Sequence, residues 1–187
     1  MKLFLLSLAF CALSVTFLKA QENNKSDLKS LSFFNRSEIS YTLGLNETLP
    51  GEKINALHIK TILGFTLPKV GLGLGLENAT FRSSNGASGA NFNTIAVSVN
   101  AHVLAKDIKD EGINFFLKGG IGYAPKIFRT YNKGLTYEGA AGLIITTKRG
   151  SRYFLQGIYH HQDIDDFFLS SGKLKVQSVG VGIGTWL

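Results

Sequence analysis

From about residue 37 to its C-terminus, the chain alternates apolar and polar residues with a period of two. Within Val70–Glu77, for example, every even position is Val or Leu and every odd position is Gly or Glu. This alternation is typical of β-strands that have one apolar and one polar face, and no segment shows the period of about 3.6 residues of an amphipathic helix. It predicts eight strands, at about residues 37–45, 56–67, 70–81, 93–104, 113–123, 135–147, 152–162 and 178–187.

The connections between these strands alternate between short and long. The short ones are residues 67–69, 105–112 and 148–151, and the long ones are residues 46–55, 82–92, 124–134 and 163–173. Bacterial membrane barrels have short periplasmic turns and longer outer loops, and their sheet must close because an open edge in lipid leaves backbone groups unpaired. The sequence therefore predicts an all-β protein: a closed, eight-stranded, antiparallel up-and-down transmembrane β-barrel with both termini on the inner side.

Aromatic residues lie near the predicted strand ends. We expect Tyr123, Tyr137 and Phe81 to face outward at the outer ends of their strands. At the inner ends, we expect the same of Phe65, Phe115 and Tyr153. Two such belts mark the two membrane interfaces of a transmembrane barrel.

The N-terminal segment has the composition of a signal peptide. Lys2 precedes an apolar run, Leu3–Leu18, which is short for a membrane-spanning helix and is followed by Lys19 and Ala20. We expect residues 1–20 to be removed as a signal peptide, residues 21–30 to form a flexible polar leader and residues 31–187 to form the barrel domain; an uncleaved anchor is the alternative. Cys11, the only cysteine, lies in the signal, so the mature chain would have no disulfide or thiolate metal site.

The net charge of the whole chain is +7, and loss of the signal with Lys2 and Lys19 leaves +5. Such a charge could indicate nucleic acid or anionic lipid as a partner, or nothing specific. Export argues against nucleic acid, so the headgroups of outer-membrane lipid and the phosphates of lipopolysaccharide are the expected partners.

Charged residues of both signs fall on the predicted inward face. They are Glu38, His58, Lys60, Glu77, Lys118 and Glu138. A barrel of eight strands is only wide enough for side chains to fill it, and unpaired charges inside would be costly. We predict a salt-bridged, plugged lumen, with a gated ion path as the alternative. The inward glycines at alternate positions, as in Gly71–Gly75, would make room for bulky neighbours; no helix follows them, as a dinucleotide-binding motif requires.

The third long loop combines basic and aromatic residues. Lys126, Arg129 and Lys133 are interleaved with Phe128 and Tyr131, without an acidic residue. Such a loop could contact lipopolysaccharide phosphates. Alternatively, it is a mobile basic loop that pairs with the acidic fourth loop.

The densest polar cluster is residues 159–166. His160, His161 and Asp163 could bind a metal ion or, with Ser170 or Ser171, form a hydrolase site at the outer rim. However, adjacent histidines on a strand point to opposite faces, and no hydrolase motif is present. We therefore interpret the cluster as a solvated loop and predict no catalytic residue, metal ion or cofactor.

The pattern resembles that of the small eight-stranded outer-membrane barrels, such as those of the outer membrane protein A and outer membrane protein X types, over residues 31–187. The short mature start at Gln21 also resembles barrel proteins of Bacteroidota. The segment Val181–Leu187 is similar to the C-terminal signal that the barrel-assembly machinery recognises, although it ends in Leu where that signal usually ends in Phe. The resemblance implies a monomeric integral protein of the outer membrane that is assembled by this machinery.

Three functions are consistent with this sequence. The first is a barrel without catalysis that supports the envelope or makes surface interactions. The second is a barrel enzyme that hydrolyses lipid or peptide at the outer rim. The third is a soluble exported ligand-binding barrel, which needs an apolar interior and a polar exterior, the reverse of the predicted pattern.

Overall fold

The structure, a computed structural model, describes residues 31–49, 51–84, 91–127, 134–165 and 173–187. Within these ranges, no helix is long and apolar enough to span a membrane. The strands are β1 (Ser32–Gly44), β2 (Glu47–Leu49), β3 (Glu52–Thr66), β4 (Val70–Ser83), β5 (Phe92–Leu104), β6 (Gly112–Ala124), β7 (Gly134–Thr146), β8 (Arg152–Ile164) and β9 (Leu174–Trp186).

The long strands close into a barrel. Each of β3 to β9 pairs antiparallel with its neighbour in sequence, and β1 pairs with both β9 and β3. The short strand β2 only extends one end of β3. The fold is therefore a closed, eight-stranded, antiparallel up-and-down barrel, which confirms the predicted fold class.

The pleat sends successive side chains alternately outward and into the lumen. Large apolar side chains are exposed on the outer face of all eight long strands; Leu74, Leu117 and Val181, for example, are each 64% exposed. The aromatic residues predicted to face outward are exposed too, with one exception. Phe81 is fully buried in the lumen, stacked on Phe92 at a ring-centroid distance of 4.5 Å, so its assignment to the outer belt was wrong.

Apolar residues fill the lumen at both ends of the barrel. The loop-side layer, at the end that carries the long connections, consists of Ile54, Ala56, Ala79, Phe81, Phe92, Ile164, Leu174 and Val176. The turn-side layer, at the end that carries the short connections and the C-terminus, consists of Phe34, Ile62, Leu104, Ile108, Phe116, Ile144, Phe154 and Trp186. The charged part of the lumen lies between these two layers.

Glycine permits close approaches in this narrow lumen. A Cβ atom on Gly180 would lie 1.9 Å from the carbonyl oxygen of Tyr41, and one on Gly184 would lie 2.5 Å from the Phe154 ring. By contrast, a Cβ atom on Gly139, on the outer face, would have nothing within 4 Å. The inward glycines thus make room for neighbouring backbone and bulky side chains, as the sequence pattern indicated.

Candidate functional site

The middle of the lumen holds a group of charged side chains from five strands, which we call the charge network. Its members are Arg36 and Glu38 of β1, Lys60 of β3, Glu77 of β4, Lys118 of β6 and Glu138 of β7. The structure therefore brings together all five acidic and lysine residues that the sequence placed inside, together with Arg36, which it did not.

Cations and carboxylates alternate along the network. Glu38 forms an ion pair with Arg36, whose Nε lies 3.1 Å away, and accepts a hydrogen bond from Lys118 Nζ at 2.6 Å. Lys118 also contacts Glu138, whose other oxygen lies 3.1 Å from Lys60 Nζ. Each of these side chains therefore has opposite charges as its nearest partners.

The network ends on Glu77, which lies 3.5 Å from Lys60 Nζ. Counting the side chains gives three cations and three carboxylates, so the network is neutral when the nearby histidines are neutral. Its members are almost fully buried: the side chain of Lys118 is 1% exposed and that of Glu138 is 6% exposed. Buried ions of this kind are stable only when paired with opposite charges, because desolvation costs roughly several kcal/mol per ion.

Aromatic rings surround the turn-side end of the network. The Arg36 guanidinium carbon lies 4.0 Å from the Phe154 ring centroid, 4.6 Å from that of Phe116 and 5.2 Å from that of Trp186. Arg36 also donates to Gln156, whose Nε2 donates in turn to Glu38 at 3.2 Å. Arg36 thus joins the charge network to the turn-side layer through ion-pair and cation–π contacts.

Two histidines flank the loop-side end of the network. His58 Nδ1 lies 2.8 Å and His160 Nε2 lies 3.3 Å from the same oxygen of Glu77. The two imidazole rings are 4.4 Å apart between centroids. Each ring also contacts a threonine hydroxyl at 3.0 Å, His58 that of Thr42 and His160 that of Thr136.

The residues predicted as a rim site do not form one site. His160 points into the lumen, whereas His161 stacks on Tyr137 of the outer face, with ring centroids 4.3 Å apart. His161 Nε2 lies 2.8 Å from Asp163 Oδ1 on that same face. The strand pleat therefore separates the two histidines, and only the pair His161–Asp163 is brought together.

Only part of the predicted anion-contact loop lies within the described residues. Lys126 is exposed where β6 ends. Arg129 and Lys133 lie outside the described residues, as do Ser170 and Ser171 of the predicted rim cluster. The contacts of these four residues stay predictions.

Arg36 and Gln156 escaped the sequence analysis, and His160 was assigned to the rim cluster instead of the lumen. Arg36 shares the parity of Glu38 and would have been found by extending the first strand by one position. The sequence positions of Gln156 and His160 give no sign that these side chains meet Glu38 and Glu77 from the far side of the barrel.

Comparison with known proteins rests on structure, since no family model and no curated protein matches the chain. The crystal structure of Neisserial surface protein A superposes with a TM-score of 0.59, covering 84% of this chain and 97% of that one at 8% sequence identity. This chain has the fold of a small membrane β-barrel. The outer membrane protein OprG from Pseudomonas aeruginosa gives a TM-score of 0.48 at 10% identity, covering 83% of this chain and 95% of its own.

Proposed function

We propose that this protein is an integral barrel of a bacterial outer membrane, with a closed lumen, no catalysis and a structural or surface-interaction role. The observation that carries this proposal is its inverted polarity. Leucine, isoleucine, valine and phenylalanine side chains are exposed around the whole circumference, whereas charged side chains such as Arg36 and Lys60 are 1% and 3% exposed. This arrangement suits a barrel that faces lipid, and it argues against a soluble ligand carrier.

The filling of the lumen supports its closure. The charge network lies between the loop-side and turn-side layers, and its charges are balanced. The connection between β5 and β6 adds to the turn-side layer, since Ile108 is only 6% exposed and its backbone N–H donates to the Pro68 carbonyl at 2.9 Å. An ion would have to displace apolar side chains at both ends and break ion pairs in the middle.

The expected partners follow from location. We expect lipid to cover the outer face, the barrel-assembly machinery to insert the chain, and Lys126, which is exposed, to contact lipopolysaccharide phosphates with Arg129 and Lys133. A monomer suffices for all of these interactions. A hydrolase at the rim is not favoured, because His160 and His161 point to opposite faces of β8.

Conductance in planar lipid bilayers tests the closed lumen. We expect the inserted protein, verified by co-flotation with lipid, to give no unitary current steps. The variants Glu138→Gln, in the lumen, and Lys126→Gln, on the exposed rim, distinguish a path through the barrel from leakage around it. Steps of regular size that change with Glu138→Gln but not with Lys126→Gln would show a gated ion path and overturn the proposal of a closed lumen.

A further inference from the structure

The loop-side end of the charge network has the composition of a metal site. His58, Glu77 and His160 each offer one ligand atom, and the three atoms lie within 4.8 Å of one another. In a tetrahedral zinc site with bonds of about 2.0–2.2 Å, neighbouring ligand atoms are roughly 3.3 Å apart. The His160 Nε2–Glu77 Oε1 distance is already 3.3 Å, and the His58 Nδ1–Glu77 Oε1 distance of 2.8 Å would have to widen by only about half an ångström.

The Glu77 carboxylate is divided between two tasks. Its Oε1 faces both histidines, whereas its Oε2 faces Lys60 Nζ at 3.5 Å. The ion pair with Lys60 can therefore persist while Oε1 acts as a monodentate ligand. Two imidazoles and one carboxylate form a donor set that suits zinc and other first-row divalent ions.

The outer partner of His58 also fits a metal site. Metal-bound histidines usually donate their second N–H to an oxygen, which orients the ring. His58 Nε2 lies 3.0 Å from the Thr42 hydroxyl, which can accept this N–H and donate its own hydrogen to the Ala56 carbonyl at 3.5 Å. The ring can thus present Nδ1 to a metal ion without losing its other hydrogen bond.

One ring nitrogen of His160 is buried without a hydrogen-bond partner. Within the described residues, its Nδ1 has no hydrogen-bond partner, and neither has the Ser178 hydroxyl on the directly opposing residue of β9. His160 is 1% exposed and Ser178 is 0% exposed. Buried polar atoms without partners are costly and call for an explanation. A metal ion on Nε2 would replace the contact of that nitrogen with the Thr136 hydroxyl, and it would fix the ring with Nδ1–H as the donor on the side of β9.

We propose that His58, Glu77 and His160 form a binding site for one first-row divalent transition-metal ion, with zinc as the best-suited ion. The ion joins β3 and β4 to β8 on the far side of the barrel and so clamps the lumen below the loop-side layer. This metal site does not require that the barrel lie in an outer membrane.

The other two histidines are natural controls. His102 lies in the lumen among aromatic rings near the turn-side end, with Thr66 Oγ1 at 3.2 Å from its Nε2. His161 faces outward and has only Asp163 as an acidic partner. Neither belongs to the three-residue cluster found among the described residues.

Cobalt(II) is the probe, because its visible absorption reports the ligands. The full chain is unfolded in urea, refolded into detergent micelles with CoCl₂ and freed of loose ions by gel filtration; folding is verified by the faster gel migration of the unboiled protein. We expect about one cobalt ion per chain, with intense bands typical of low coordination number. His58→Ala, Glu77→Gln and His160→Ala should each lower retained cobalt at least ten-fold, whereas His102→Ala and His161→Ala should retain it.

The proposal is overturned if the folded wild-type protein retains no more cobalt than the His58→Ala/His160→Ala double variant, or if His161→Ala abolishes binding. Where a lumen variant fails to fold, X-ray absorption of the zinc-loaded wild-type protein decides the question. Two imidazole ligands support the site, and fewer than two contradict it.

Discussion

Replacing Lys118 with methionine should lower the free energy of unfolding by about 3–5 kcal/mol, the usual cost of removing one partner from a buried ion pair. Lys118 Nζ contacts both Glu38 and Glu138, and its side chain is 1% exposed. Methionine preserves most of the volume, so the loss comes from two carboxylates deprived of their shared cation. Glu38 retains Arg36 and Glu138 retains Lys60, which keeps the cost within this range.

Urea unfolding of the detergent-refolded protein measures this loss. Trp186, the only tryptophan, is 1% exposed in the turn-side layer, so its emission reports the opening of the barrel. Lys109→Met, in an exposed connection, is the matched control and should leave the unfolding midpoint unchanged. Adding Glu138→Gln to Lys118→Met should restore part of the stability, because it removes one uncompensated charge. An unchanged midpoint for Lys118→Met would show that the network does not hold the lumen together.

Replacing Leu74 with arginine should destabilise the barrel in lipid bilayers by about 2–4 kcal/mol, the cost of a lipid-facing arginine near the midplane. Leu74 is 64% exposed, and its cross-strand partner Val99 is the third of five outward positions, all of them apolar, in Ile95–Val103. It therefore lies deep in the apolar belt, where the guanidinium has no water and no acidic partner.

Val70→Arg is the control for depth. Val70 is also outward-facing, but it is the first residue of β4, next to the turn at Pro68 and Lys69, where an arginine should cost at most about 1 kcal/mol. Folding into liposomes at increasing urea concentration compares the two variants. Equal stability of both would mean that the belt does not face hydrocarbon, and a gain in solubility for Leu74→Arg without loss of stability would indicate a barrel in water.

The bounds of the strands could be predicted from the sequence where the lumen is polar, and the prediction failed where the lumen is apolar. Period-two alternation marks a strand only when its two faces differ in polarity. At Phe34 the inward side chain is as apolar as its outward neighbour Phe33, and at Ile54 the polarity is reversed, since its outward neighbours are Lys53 and Asn55. Both inward residues belong to the apolar layers that fill the ends of the lumen. For this reason β1 begins at Ser32 rather than Ser37, and β3 at Glu52 rather than Ala56.

Apolar residues inside the lumen also explain the wrong placement of Phe81 and the interrupted alternation at Ile158. Phe81 was placed on the outer belt because an aromatic residue near a strand end suits a membrane interface, yet it fills the loop-side layer. Ile158 is an apolar residue at an inward position, between Gln156 and His160, and it interrupts the alternation because it faces the lumen, where it is 5% exposed.

The candidate site could be predicted as a set of residues but not as a set of contacts. Parity along each strand is sufficient to place Lys60 and Glu138 inside. Their contact depends on the stagger between β3 and β7, which lie on different sides of the barrel, and no local pattern encodes that stagger. The meeting of His58 with His160, from β3 and β8, has the same origin.

Gel migration of membrane fractions, with and without boiling, tests the central claim most directly. Cells that express the full chain are separated into soluble, inner-membrane and outer-membrane fractions, and each is run on a denaturing gel. We expect the protein in the outer-membrane fraction, with an unboiled band that migrates faster than the boiled one because the closed barrel resists the detergent. A soluble protein whose migration does not depend on boiling would contradict a closed membrane barrel.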